Sequence, residues 1–401
     1  MYEKIKRFAQ RSVICERIIY FLFLIYGFFY HLLCRFLSLF PIQENKIVCS
    51  SFKGKHYADN PKYITEELLR GNGDYDIVWL LLKNNNAELP QGVRRVTYGS
   101  LDGLKELMTA AVWIDSSVKE YGVFKRKKQF FFETWHGSYG LKKIAWDMKD
   151  ISLVNTKIYP HNVKLFDLMI SNSRKTTEIY RQGFGYEGTM LEYGSPRNDV
   201  FFQEPEPYIR KVKEYFKLED RRLVLYAPTW RYNYNTDFLS MNFEQIRKVL
   251  GKRFGGDWTV LVRMHSQNMV EARNIADDGR TVLNATYYND MQELLVACDV
   301  LITDYSSCMF DFVTRGKPCF LYAPDVEAYR DDCEHYFDIY DLPFPLGRNT
   351  AELEQKILEF DEEIYQEKLK ALHEQVGLNE TGHASEYAAK YIEKWLSKED
   401  H

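Results

Sequence analysis

The chain has 401 residues, 45% of them hydrophobic, 27% charged and 15% aromatic, with a formal net charge of −4 and 7 cysteines. That length exceeds what one hydrophobic core usually serves, so two domains are expected. The acidic balance argues against a nucleic-acid partner, and cysteines without C-x-x-C spacing argue against structural zinc or a disulfide framework and fit a reducing cytoplasm.

In the first 40 residues Lys4, Lys6, Arg7, Arg11, Arg17 and Arg35 outnumber Glu3 and Glu16, and residues 18–30 carry no charge. A basic, aromatic N-terminus points to anionic lipid. The uncharged run falls short of the roughly 20 residues a crossing helix needs. Leu33-Cys34-Arg35-Phe36 offers no small-x-small cleavage site of a signal peptide. Residues 1–40 are therefore expected to form a membrane-associated helix, lying in or dipping into the inner face of the cytoplasmic membrane rather than spanning it.

Beyond Pro41 short apolar runs alternate with helical patterns. Strands are predicted at residues 46–50, 77–82, 112–115, 129–133 and 168–171, with helices at 61–70, 101–110 and 173–182, the alternation of a parallel sheet covered by helices. A charged break at 203–219, with Pro205 and Pro207 before a short amphipathic helix, precedes a second block with strands at 223–227, 259–263, 281–284, 300–303 and 318–322. The predicted fold class is α/β: two doubly wound, Rossmann-type domains facing one cleft. The tail, 351–398, is helical, with Leu369, Leu372 and Val376 and then Tyr387, Tyr391 and Trp395 at helical spacing. The expected domains are 1–40 (membrane helix), 41–205 (N-terminal α/β), 206–349 (C-terminal α/β) and 350–401 (bracing helices).

Ligands of doubly wound sheets bind beyond the carboxyl ends of the strands, and the unusual residues lie there. They are Thr134-Trp135-His136-Gly137, Ala227-Pro228-Thr229-Trp230-Arg231, Arg263-Met264-His265-Ser266 and Thr303-Asp304-Tyr305-Ser306-Ser307. His136, beside a glycine that permits close approach, suits a neutral imidazole taking a proton from an attacking hydroxyl; the bland alternative is a histidine that only bonds a backbone carbonyl. Arg263 and His265 share a side if the strand runs through them, and would hold an anion between them. Arg231 is a further anion ligand or the partner of an acid. Asp304 orients a histidine, accepts a hydrogen bond from the transferred group, or satisfies loop N–H groups. Ser306 and Ser307 open a helix whose N–H groups and dipole suit phosphate, or simply cap it. No Walker A sequence occurs, and the D-x-D at Asp74-Tyr75-Asp76 sits in an Asn-Gly-rich turn, so no metal or cofactor is expected to be required. Lys125-Arg126-Lys127-Lys128, with Lys142 and Lys143, is a solvated loop or faces lipid head groups or an anionic acceptor.

Taken together these residues resemble the CDP-glycerol glycerophosphotransferase family of wall teichoic acid synthesis, over about residues 46–345. The resemblance is carried by Ser50-Ser51-Phe52 with Asn60-Pro61, Thr134-Trp135-His136-Gly137 with Leu141-Lys142-Lys143, Gly194-Ser195-Pro196-Arg197-Asn198-Asp199, Tyr226-Ala227-Pro228-Thr229-Trp230-Arg231, Arg263-Met264-His265, Thr303-Asp304-Tyr305-Ser306-Ser307 with Phe310-Asp311, and Asp325 to Arg330. It implies a GT-B-like fold, peripheral membrane association, and transfer of a polyol phosphate, glycerol phosphate first, from a CDP-activated donor such as CDP-glycerol, with release of CMP. The acceptor it implies is a hydroxyl of a lipid-linked saccharide or of a growing teichoic-acid or capsule-like polymer. The residues it points to are His136, His265 and Asp304 as catalytic and Arg231, Arg263, Thr303, Ser306, Ser307, Asp311, Arg330, Gly137 and Arg197 as substrate-binding. Two departures stand out: Ser138-Tyr139-Gly140 where many teichoic acid enzymes have Thr-Pro, and Asp331-Asp332-Cys333-Glu334 in place of Arg-Gly-Phe-Tyr. They leave open the polyol (glycerol or ribitol), the acceptor and the number of units added; assembly into a homo-oligomer is also open. The rival readings are a GT-B glycosyltransferase using a nucleotide sugar and a membrane-bound scaffold that has lost catalysis.

Overall fold

The structure, a computed structural model, describes residues 12–397 apart from 138, 140, 219, 232–239, 266–274, 276 and 333. The basic residues Lys4 to Arg11, with Ser138, Gly140, Ser266, Cys333 and Lys398, lie outside the described residues.

Two parallel sheets form. The first comprises β1 (Gln43–Ser50), β2 (Asp76–Leu81), β3 (Val93–Thr97), β4 (Ala110–Asp115), β5 (Phe130–Glu133), β6 (Leu168–Ile170) and β7 (Thr189–Leu191), in the order β3-β2-β1-β4-β5-β6-β7. The second comprises β8 (Arg222–Ala227), β9 (Trp258–Val262), β10 (Val282–Asn284), β11 (Val300–Thr303), β12 (Cys319–Tyr322) and β13 (Leu346–Gly347), in the order β10-β9-β8-β11-β12-β13. Helices cover both faces, so inner strands such as β4 and β5 are buried throughout. Every predicted strand is present. The unpredicted β3, β7 and β13 are edge strands, where neither length nor an apolar run is needed: β3 reads Val-Arg-Arg-Val-Thr, and β13 has 2 residues.

Strand order reverses between β1 and β4 and between β8 and β11, the crevices where such sheets take ligands. Ser50 lies beside Asp115 at the first and Ala227 beside Thr303 at the second. Buried polar ties join the domains: Lys62 reaches Asp290 at 2.5 Å and Glu293 at 2.8 Å. A short antiparallel bridge pairs Lys142 with His335 across the cleft.

The helices of the tail pack on both domains. The helices Thr350–Leu358 and Glu362–Val376 pack on the second domain through Leu353, Ile357, Tyr365 and Leu369. Ala384–Leu396 crosses back to the first, where Ala384, Ala388 and Ile392 join Leu68, Ile114 and Phe132. Val200 and Phe201, like Tyr63 of the first domain, pack into the core of the second.

The N-terminal helix runs Val13–Leu37, 25 residues, because Glu16, Arg17 and Arg35 are accommodated near its ends. Contrary to the count from the uncharged run alone, it is long and apolar enough by length and composition to cross a membrane. One side docks on the first domain: a Cβ at Gly27 would lie 2.3 Å from the Tyr121 ring, Cys34 and Leu37 are buried, and His31 Nδ1 meets the Gly122 carbonyl at 3.1 Å. The other side exposes Phe21, Leu22, Phe28, Phe29 and Phe36.

Candidate active site

β5 delivers His136 at the first crevice through a turn whose polar groups are closely accounted for. Thr134 donates its N–H and its hydroxyl to the Asp115 carbonyl, at 2.8 and 3.0 Å. Trp135, at φ 51°, is left-handed; its N–H donates to Glu133 Oε1 at 2.9 Å and its carbonyl accepts from Asn60 Nδ2 at 3.2 Å. Tyr180 OH donates to the Gly137 carbonyl at 3.2 Å. Left-handed residues without a glycine's freedom gather around this turn, at Phe52, Lys53, Asp59 and Trp135, which is backbone strain of the kind functional sites retain.

The half-buried His136 ring stacks on Trp135, with ring centres 4.6 Å apart, and meets Phe52 at 5.2 Å. Its Nδ1 lies 2.6 Å from the Ser116 carbonyl, an acceptor only. Nδ1 must therefore carry the proton, and Nε2 is the lone-pair nitrogen of the neutral ring. Burial pushes the imidazole pKa down, so the neutral form prevails at pH 7. Backbone bonding and base chemistry are therefore compatible, since the bond through Nδ1 leaves the Nε2 lone pair unused by it.

The wall around His265 gathers cationic groups from both domains. His265 lies just beyond the end of β9, and desolvation followed by the charges of Lys142, Lys55 and Arg263 disfavours its protonation. His56, also held neutral by burial and then by Arg263 and Lys55, belongs to the same group. β9 ends at Val262, so Arg263 and His265 do not continue the strand as expected. Arg263 instead grips the carbonyls of Ala285 at 3.3 Å and Tyr288 at 2.5 Å, contributing charge but not an open fork. Ser306 and Ser307 are half-buried at the start of Cys308–Phe312. That helix has 5 residues, so any anion held there meets local N–H groups and hydroxyls rather than a long dipole. Ser307 makes no capping bond through its side chain, and Ser306 Oγ accepts from Cys308 N at only 3.5 Å.

Several expected ligands turn inward. Arg231, 1% exposed, pairs with Asp304 at 2.8 Å and Asp325 at 2.5 Å, which is the acid-partner reading rather than that of an anion ligand. Asp304 is fully buried and also accepts the Thr229 and Tyr305 N–H groups, at 2.8 and 2.6 Å; it holds loops rather than a histidine. Thr303 donates to the Ala227 carbonyl at 2.7 Å. Arg197 and Asp311, both buried, bind each other at 3.1 Å, and Arg197 also binds Asp59 at 2.8 Å. Arg330 is on the surface with Asp338 at 2.9 Å. A Cβ at Gly137 would meet only the Trp135 ring, at 3.7 Å, so this glycine leaves room on the cleft side rather than for neighbouring backbone.

Ser116, Lys55, His56 and Tyr180 were not anticipated. His56 follows the carboxyl end of β1, a fifth strand end of the same kind, and that position was the available signal.

The chain is similar to known proteins over most of its length. The family described as CDP-glycerol:poly(glycerophosphate) glycerophosphotransferase matches residues 32–394. The teichoic acid poly(glycerol phosphate) polymerase of Staphylococcus epidermidis is 30% identical over 89% of this chain and 52% of its own, so the chain spans about half of that relative's length. The polymerase of the same name from Bacillus spizizenii is 30% identical over 92% of this chain and 96% of its own. The solved wall teichoic acid polymerase TagF superposes with a TM-score of 0.82 at 27% identity, covering 96% of this chain and 99% of that one.

Proposed function

Starting from the fact that the chain belongs to the CDP-glycerol:poly(glycerophosphate) glycerophosphotransferase family, we propose that it transfers a polyol phosphate, glycerol phosphate foremost, from a CDP-activated donor to a hydroxyl of a lipid-linked saccharide or growing teichoic-acid-like polymer. The observation that carries this reading is His136, whose bond to the Ser116 carbonyl leaves Nε2 as the lone-pair nitrogen near a wall of cationic groups around His265.

In this reading the acceptor oxygen forms a bond to the donor phosphorus that bears the polyol, and its proton passes to His136 Nε2. The bond from that phosphorus to the bridging oxygen breaks, and its electron pair leaves with CMP. His265, the charges of Lys55, Lys142 and Arg263, and the N–H groups around Ser306 and Ser307 offset the charge growing on the leaving phosphate. Arg231, Asp304 and Thr303 support that wall from behind, and Arg197 with Asp311 fixes the distance between the two walls. Nucleotide release decides the donor class. With CDP-glycerol, CDP-ribitol and UDP-sugars offered separately alongside a lipid-linked acceptor, CMP release from a CDP-polyol is the expected result; UDP release alone overturns the proposal. The mass ladder of the product then separates single addition from polymerisation.

We also propose that the N-terminal helix lies along the cytoplasmic face of the membrane. Its docked side ties it to the catalytic domain, and a basic rim borders its apolar side. Arg126 donates to the Phe40 carbonyl at 2.8 Å, Lys105 lies over the Phe40 ring at 4.7 Å, and Arg35 lies over Phe124 at 5.2 Å. Such a face suits anionic head groups over acyl chains. Full-length protein should sediment with vesicles containing anionic lipid. Removal of residues 1–40, or Phe21→Asp with Phe29→Asp in the full chain, should leave it in the supernatant. Variants that still sediment would count against this helix as the anchor.

A further inference from the structure

The last residue of β5 is an acid that the proposed reaction does not use. Glu133 is fully buried, in register with Asp115 on β4 and Met169 on β6. Its Oε1 accepts the Trp135 N–H at 2.9 Å, while its Oε2 is buried with no hydrogen-bond partner among the described residues. Asp115, by contrast, is well supplied: Lys119 Nζ and Ser50 Oγ both donate to it, as does the Ser116 N–H at 2.7 Å.

We propose that Glu133 is the positioning residue of the candidate base: by accepting the Trp135 N–H, it holds Trp135 in its left-handed conformation and so aims His136 into the cleft. Trp135 needs such a hold. A bulky side chain at φ 51° is disfavoured, and relaxing it to ordinary backbone would swing the next residue, His136, off the Ser116 carbonyl. The bond from the Trp135 N–H is the restraint nearest the strained angle, and it comes from two residues back along the chain. Asn60 bonds the carbonyl on the far side of Trp135 at 3.2 Å and reaches the Thr134 carbonyl on the near side only at 3.5 Å.

Glu133 does this as a neutral acid. Lys119 is already paired with Asp115, and an ionised Oε2 would sit in the interior with no donor facing it. The titratable groups around it are Asp115 at the end of β4, Lys119 in the loop that follows, Asp59 at the start of the helix Asp59–Arg70, and Tyr180; burial first, then Asp115 and Asp59, hold its pKa well above the carboxylate range against the opposing pull of the Trp135 N–H and Lys119. A neutral carboxamide is then a faithful substitute: Glu133→Gln preserves the accepting oxygen, whereas Glu133→Met preserves length and loses it.

This inference rests on His136 being the base, so His136→Ala is measured beside the Glu133 variants, with nucleotide release followed in the full-length protein. Glu133→Gln is expected to keep kcat within about threefold and leave the acid limb of the pH–rate profile unmoved. Glu133→Met is expected to lower kcat about 10²-fold, the order of loss from a misplaced catalytic group, with donor KM within about threefold. Full kcat in Glu133→Met overturns the proposal. So does a loss in Glu133→Gln as deep as in Glu133→Met, or a shift of its acid limb, because either would mean that the charge matters rather than the acceptor. If Glu133→Met fails to fold, Glu133→Gln alone decides on those same criteria. Undiminished turnover in His136→Ala would instead place the fault in the assignment of the base.

Discussion

Replacing His136 by alanine should lower kcat by about 10³-fold while changing donor affinity by less than about threefold. The ring touches Trp135, Phe52 and the Ser116 carbonyl, and the positive charge that suits a donor gathers around His265. Its loss therefore removes an interaction made as the acceptor proton moves, not one that holds the nucleotide. Steady-state kinetics with a CDP-polyol, together with calorimetric titration of the donor, separates the two. A rise in KM at unchanged kcat would assign His136 to binding. The pH dependence follows from the same geometry. The base works neutral, so activity is present above its pKa and is lost as pH falls through it. Because burial depresses that pKa, the acid limb of kcat/KM should lie below the ordinary imidazole value of about 6.5. Asn at position 136 keeps much of the shape without the basic nitrogen, and should be as inactive as alanine.

The general architecture was readable because doubly wound sheets write themselves as apolar runs separated by helical patterns, and both crevices follow from strand order. The place of His136 was readable too: directly after the strand Phe130–Glu133, it had to stand at the carboxyl edge of the first sheet. The direction in which the charged residues turn was not readable. Arg231 and Arg263 both follow apolar strands, yet one closes on acids and the other on carbonyls. Arg231 meets Asp325 from 94 residues away and Arg197 meets Asp59 from 138; local pattern carries no record of partners so distant. The tail illustrates the same limit. Leu369 and Tyr391 share helical periodicity, but the loop between their helices carries them to different domains.

That distance in sequence is the basis for the second large effect. Arg197→Met should destabilise the protein by about 3–5 kcal/mol, the cost of leaving buried charge without its partner. Arg197 is 4% exposed and sits between Asp59, which opens a helix of the first domain, and Asp311, in the short helix after Ser307 of the second. Without the guanidinium two carboxylates remain in the interior; Asp311 retains Asn198 and Gln292, each at 3.0 Å, whereas Asp59 Oδ2 has no hydrogen-bond partner even now among the described residues. Neutralising Asp311 should therefore return part of the loss: Arg197→Met with Asp311→Asn is expected to be less destabilised than the sum of the single variants, a coupling of about 1–3 kcal/mol in chemical denaturation. Additive losses would mean that the three groups act separately. The kinetic consequence is specific. Asn60, next to Asp59, carries the bond to the Trp135 carbonyl and accepts the Arg197 N–H at 3.1 Å, so loosening the triad loosens the His136 turn and the Asp311 helix together. A fall in kcat that tracks the lost stability, and is partly restored in the double variant, would show that the tie between the domains also sets the distance between base and donor.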